Sequence, residues 1–242
     1  MERHLQRLKW KNVRDLVPAR IDTVIFCVGT IEAHGATALG TDNFIPESIA
    51  DHLAGKINAL IAPTLNYGIT KSLYGYPGSI TIKPRNFQPF VSDILKSFHD
   101  IGFSKIIIMN GHGGNNLFLK EAAQEFFYSF RKKIAIVHWW ELCAELVREF
   151  YGEAGGHAAL DETALIQAID ENLVDKSQYD DHMTYLIRPG SDIYPIPGSI
   201  LLYTKDQGYP DFDIQKAAQF QKKVFEQIEE FVKLVLARWE KI

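Results

Sequence analysis

The sequence has little of what marks several protein classes. Only two cysteines, Cys27 and Cys143, occur in 242 residues. They make no disulfide framework of the kind that staples small secreted domains. Cys27 falls in the apolar run Val24-Ile25-Phe26-Cys27-Val28 and reads as a buried small hydrophobe. Positive charge is not in excess. With 26 Lys and Arg against 30 Asp and Glu the formal net charge is −4. Neither nucleic acid nor an anionic membrane is therefore an expected partner. A small anionic substrate stays compatible, because a bound metal can reverse the local potential. No apolar stretch approaches the ~18 residues of a membrane-spanning helix. The first ten residues lack the long apolar region of a signal peptide, so a cytoplasmic location is expected. Repeats, low-complexity segments and dividing linkers are also missing, and residues 1–242 are expected to form a single domain.

What the sequence does contain is alternation. Buried strands are expected at 22–28, 105–109 and 134–138, with shorter ones at 60–63 and 79–82. Helical periodicity falls at about 44–57, 87–101, 116–131, 140–150, 161–171 and 212–240. Alternating strands and helices predict an α/β fold with a mostly parallel sheet covered on both faces. The last helix carries an apolar stripe of Phe220, Val224, Ile228, Phe231, Val232 and Val235. Residues 183–211 hold Pro189, Pro195, Pro197 and Pro210 with three glycines. That density predicts an extended loop with one short strand at 199–203.

Three segments bring metal-ligating residue types together. In Gly29-Thr30-Ile31-Glu32-Ala33-His34-Gly35, Glu32 and His34 share a face if the preceding strand continues. Gly40-Thr41-Asp42-Asn43 follows, and one carboxylate can bridge two ions. The ordinary readings are a loop ion pair and a helix N-cap at Asp42. In Asn110-Gly111-His112-Gly113-Gly114-Asn115 the glycines allow positive φ and close approach to a ligand. His112 would sit at a strand end, where sites of open α/β sheets lie; it could equally be a turn residue. Neither GxGxxG nor the Walker A pattern is present, which disfavours a phosphate cradle. In Gly155-Gly156-His157-Ala158-Ala159-Leu160-Asp161-Glu162-Thr163 the acids could simply complement a helix dipole. The functional reading makes Glu162 a ligand and His157 a general acid or base. Trp139, Trp140, Tyr74 and Tyr76 read as core or interface rather than pocket, and His138 as a structural histidine.

In order and spacing these pieces, together with Tyr76-Pro77-Gly78-Ser79, resemble the creatininase family over residues of about 20 to 165. The resemblance implies a three-layer α/β/α sandwich with a mostly parallel central sheet, and two divalent ions per subunit (Zn, Mn or Fe). Glu32 and His112 would bind one ion and His34 the other, with Asp42 between them. Creatininase itself has a Glu at the position of Gly114, and Glu162 is the candidate for the missing carboxylate. The implied activity is hydrolysis of a cyclic amide, formamide or small peptide-like C–N bond by a water that the ions activate. His157 and Glu162 are the expected catalytic residues, with His157 protonating the leaving nitrogen. A small-molecule amide substrate and a homo-oligomer, often a hexamer, go with the family. Two other readings stay open: a dinuclear metallophosphoesterase, and a non-catalytic binding protein on the same fold.

Overall fold

Strand β1 (Thr23–Val28) is buried along its whole length. It is rich in β-branched and aromatic residues and has no polar side to show water, as a strand covered on both faces requires. In the computed structural model, which describes residues 1–188 and 190–242, β1 lies inside a four-stranded parallel sheet of order β2-β1-β3-β4. The other strands are β2 (Ala59–Ile61), β3 (Lys105–Asn110) and β4 (Lys133–His138). Alternate side chains of the central strands feed two cores. Ile25, Cys27, Ile107 and Met109 join one core, and Val24, Phe26, Val28, Ile106 and Ile108 the other. Helices α1 (Trp10–Leu16), α3 (Pro84–Ile101) and α4 (Asn116–Phe130) cover the second. Helices α2 (Thr41–Ala54), α5 (Trp139–Leu142), α6 (Ala144–Tyr151), α7 (Leu160–Ile169) and α8 (Ile214–Trp239) cover the first. The result is the expected α/β/α sandwich.

The register matters for the site. Val28 pairs with Asn110, and Asn110 with His138, so three strands end level with one another. The chain leaves β1 for β2 on one side and returns to β3 on the other. The loops after β1 and β3 therefore part at the switch point of the sheet, where open α/β folds place their ligand crevice.

Several expectations shift. No strand forms at 79–82; Ile80 makes a single antiparallel bridge to Ile31. The helix expected at 140–150 breaks at Cys143 into α5 and α6. Phe231 is exposed, because it lies one position off the row Ala217, Phe220, Val224, Ile228 and Val232 that α8 buries. The proline-rich stretch holds two short parallel strands, β5 (Thr184–Leu186) and β6 (Ile200–Leu202); its Pro189 lies outside the described residues. Ile200 and Leu202 pack on Ala158 and Ala159, so this excursion braces the segment carrying His157. Both cysteines are buried and free.

Candidate metal centre

Glu32, His34, Asp42, His112 and Glu162 are each 8 % exposed or less. Ionisable groups are rarely buried so deeply unless they are paired or coordinate metals. They arrive from four places: the loop after β1, the first turn of α2, the loop after β3 and the first turn of α7. Strand geometry does not carry Glu32 and His34 to a common face, since β1 stops at Val28. A local bond does. His34 Nδ1 lies 3.0 Å from the Glu32 carbonyl oxygen, folding the ring back into the site, and Gly35 turns the chain away at φ 54°.

Asp42 is not a helix N-cap. Gly40 occupies that position, and the Asp42 carboxylate points into the site instead. Its Oδ1 lies 3.0 Å from His34 Nε2, and its Oδ2 lies 2.8 Å from His112 Nδ1. Pro46 is four residues on, inside α2, so no amide hydrogen there can bond the Asp42 carbonyl. The chain at Gly111 uses that opening. A Cβ built on Gly111 would stand 2.0 Å from the Asp42 carbonyl oxygen. Gly111 has no positive φ; glycine is needed there for close approach alone, not for the left-handed backbone that the run of glycines suggested.

Each histidine has one ring nitrogen against a backbone carbonyl. Besides His34, His112 Nε2 lies 3.0 Å from the Ile69 oxygen, and His157 Nε2 lies 2.8 Å from the Ala33 oxygen. A carbonyl only accepts, so that nitrogen carries the hydrogen. The other nitrogen, His34 Nε2, His112 Nδ1 or His157 Nδ1, then faces the carboxylates, and it is the one that would bind a metal ion in place of a proton, as in metal-ligating histidines. Asn110 was missed in the sequence as anything beyond a motif letter. Its side chain clamps the His112 backbone, donating to the carbonyl at 2.9 Å and accepting from the N–H at 3.2 Å. Asn115 ties Ile69 to Gly29 in the same way.

The site holds charge that it does not neutralise alone. Burial opposes the charge of His34, but Asp42, Glu162 and Glu32 outweigh it and raise its pKa to about 10. Against the same penalty, Glu32 and Asp42 raise that of His112 to about 9. Burial and then the neighbouring His34 push His157 down to about 3. Burial drives the Glu162 carboxyl well above its usual range. Burial opposes the charge of Asp42 too, yet His34 and His112 hold its carboxyl below the usual range.

These residues fit a divalent ion. Among the described residues, three sets place their ligand atoms within 4.8 Å of one another: Glu32, Asp42 and His112; His34, Asp42 and Glu162; and Glu32, His34 and His157. Asp42 Oδ2 is buried without a hydrogen-bond partner, despite the short approach of His112. Such an orphaned acceptor costs about 1–3 kcal/mol unless something cationic meets it. Asp161, unlike its neighbour Glu162, belongs to none of these sets. It is buried, accepts the Gly156 N–H at 3.0 Å, and its pKa is raised to about 6 by burial. Of the aromatic residues weighed in the sequence, Trp139 is core, whereas Trp140 lines the cavity above the site. His138 lies 3.0 Å from Asn110 Nδ2, a structural partner.

Comparison with known proteins places this arrangement. The family model for creatininase, described as creatinine amidohydrolase, matches residues 6–210. Creatinine amidohydrolase of Pseudomonas putida is 27% identical over 208 residues, covering 78% of this chain and 80% of that protein. A 3-dehydro-scyllo-inosose hydrolase of Thermotoga maritima is 30% identical over 112 residues, 46% of this chain and 36% of its own. A mycofactocin precursor peptide peptidase of Mycolicibacterium smegmatis is 27% identical over 165 residues, covering 64% and 62%. Solved structures share the fold. Creatinine amidohydrolase superposes with TM-score 0.83 at 21% identity over 96% of both chains, and a manganese creatininase with the same score and identity over 96% and 98%. The family match spans most of the chain, the structural likeness nearly all of it, and on that ground the protein belongs to the creatininase family.

Proposed function

We propose that this protein is a metal-dependent amidohydrolase acting on an amide-type C–N bond. One observation carries the reading: the two carboxylate oxygens of Asp42 address different imidazoles, and one of them is buried without a hydrogen bond. Glu32, Asp42 and His112 would hold one divalent ion, and His34, Asp42 and Glu162 a second, with Asp42 shared. The manganese and Zn-Zn forms of related creatininases make those metals the first to supply. Bound ions would contribute Lewis acidity, lowering the pKa of a water and polarising a carbonyl.

The chain's own residues do the rest. Glu32, Asp42 and Glu162 are buried carboxylates that would supply three negative charges, offsetting most of the charge of two divalent cations. His157 is the proton carrier. Its Nε2–H is fixed on the Ala33 carbonyl, and its Nδ1 faces the site 3.4 Å from Glu32 Oε1. With its pKa pushed down to about 3, that nitrogen is unprotonated, so it would take a proton only within the site and pass it on at once to the leaving nitrogen. Related proteins act on a cyclic amide and on a peptide by their names, so the amide's surroundings set the substrate, not the centre.

Metal analysis of protein supplied with Mn or Zn tests the reading. The wild type is expected to retain two ions per chain, His34→Ala to lose at least one, and His157→Ala to keep both while losing turnover of formamide and cyclic-amide substrates. Retention of no metal by the wild type overturns the proposal. Loss of metal in His157→Ala moves that residue among the ligands. A phosphatase panel run alongside separates the phosphoesterase reading.

A further inference from the structure

The proposed reaction site opens into a cavity of about 640 Å3. That volume lies within the range of pockets that enclose whole drug-sized ligands, and a single small ring would leave most of it empty. Five carboxylates line it, Glu32, Asp42, Glu141, Asp161 and Glu162, with one guanidinium, Arg148, and no lysine.

Every one of those carboxylates has a partner. Asp42 faces His34 and His112, and Glu32 faces His112 and His157. Glu162 accepts the Ala158 N–H at 2.6 Å, and Asp161 accepts that of Gly156. Glu141 accepts from Asn116 Nδ2 at 3.1 Å. Arg148 is different. Among the described residues it makes no ion pair and no side-chain hydrogen bond, although it lines the same cavity. It lies in the last turn of α6, where a cation also complements the partial negative charge of a helix end. That accounts for a basic residue in the turn; the guanidinium is exposed, and none of its five N–H donors meets a protein group among the described residues. Beside it the cavity wall is apolar and aromatic, with Trp140, Val147 and Leu201.

A planar fork of unused donors, at the edge of a cavity whose acids are all engaged, matches a carboxylate or phosphate bidentately. We propose that the substrate carries an anionic group, remote from the amide that is cleaved, and that Arg148 binds it. The rest of the cavity then holds the body of the substrate against Trp140. This assignment of substrate class rests on the amidohydrolase reading, in which bound ions would offset the charges of Glu32, Asp42 and Glu162.

Three matched aryl formamides test it on the metal-loaded protein: 4-formamidobenzoate, 4-formamidophenyl phosphate and the neutral 4-formamidobenzamide. At least one charged formamide is expected to show kcat/KM about tenfold or more above the neutral one, mainly through KM, as a charge-assisted bidentate contact implies. The better of the two identifies carboxylate or phosphate. In Arg148→Gln the ratio falls to about one, and Arg148→Lys restores part of it. A ratio unchanged by Arg148→Gln, or a preference of the wild type for the neutral amide, overturns the proposal. Calorimetric titration with 4-aminobenzoate, 4-aminophenyl phosphate and 4-aminobenzamide judges Arg148 without turnover. If no formamide is hydrolysed, binding alone decides: charged amines that bind the wild type more tightly than Arg148→Gln support the anion site, and equal binding refutes it, while the amidohydrolase reading is judged separately by metal retention and cyclic-amide turnover.

Discussion

Gly114 shows how packing at a single position limits which side chains can enter the proposed centre. Creatininase has a Glu there, and the sequence offered Glu162 as its replacement without saying why. The packing supplies the reason. A Cβ on Gly114 would lie 2.1 Å from the Ile69 carbonyl oxygen and 2.5 Å from His112 Nε2. Those two atoms form the hydrogen bond that orients the His112 ring. No side chain fits between them, so in the proposed centre the further carboxylate would come from Glu162 of α7. Gly114→Ala is therefore expected to cost about 1–3 kcal/mol, as overpacking of a tight site does, and to weaken retention of the ion assigned to Glu32, Asp42 and His112. Gly55→Ala is the control. Its φ is −68° and a Cβ there meets nothing within 4 Å, so it is expected to leave stability unchanged or raise it. Urea melts and metal analysis of both variants check the pair; equal effects would remove the packing argument. That Glu32, His34, Asp42, His112 and Glu162 come together was legible in the sequence, because Glu, His and Asp stand beside glycines at strand ends. The backbone carbonyls of Ile69, Ala33 and Glu32, which set the three imidazoles, were not, since any residue presents a carbonyl. Asn110 and Asn115 were visible only as letters of a motif, because their function depends on loops from elsewhere in the chain.

At the scale of elements, the strands and helices with strong periodicity were legible and the ends were not. The start of α2 was expected at about 44, but Thr41–Asn43 are helical and buried; polar residues in a first turn hide the helix from any hydrophobic pattern. The paired strands β5 and β6 were half read, since three-residue strands among prolines carry almost no periodicity. The long C-terminal helix was read correctly as an amphipathic stripe, yet its polar face also makes a specific tie. Glu229 of α8 accepts from Lys56, just beyond the end of α2, at 2.6 Å and lies 2.9 Å from His52 in its last turn, while Lys233 adds a bond of 2.6 Å. Lys233 first, then Lys56, hold its carboxyl down to about 2 from an ordinary 4.5. A carboxyl depressed in the folded state stabilises above its unfolded pKa, and that contribution is lost as pH falls through the folded value. Glu229→Gln should thus melt below the wild type near neutral pH. The gap should close as pH falls from 4.5 towards 2, and shrink in high salt as surface ion pairs do. A gap independent of pH would assign Glu229 a packing role instead.

On the scale of the whole molecule, the two cores and the centre make opposite contributions. The sheet buries apolar side chains on both faces, while the switch point above it collects three buried carboxylates and three imidazoles. Burial of these charges opposes folding, and only their mutual pairing offsets it. A ligand that binds the folded chain alone stabilises it by RT ln(1 + [L]/Kd), about 2.7 kcal/mol at a hundred times Kd for each site. A domain of 150–250 residues gains roughly 2–4 °C per kcal/mol. Filling one site should therefore raise the melting temperature by roughly 5–11 °C at that excess, and filling both by about twice as much. Asp42 belongs to both of the candidate sets proposed to hold an ion, so Asp42→Ala should abolish most of the metal-dependent increment, whatever its effect on the metal-free melting temperature. His157→Ala should keep the increment, because it leaves Glu32, His34, Asp42, His112 and Glu162 in place. Differential scanning calorimetry of chelator-treated and metal-supplied protein measures all three. A wild type whose melting temperature ignores Mn and Zn would mean that the buried charges are balanced by their own protons, and that the centre is an ion-pair network rather than a metal site.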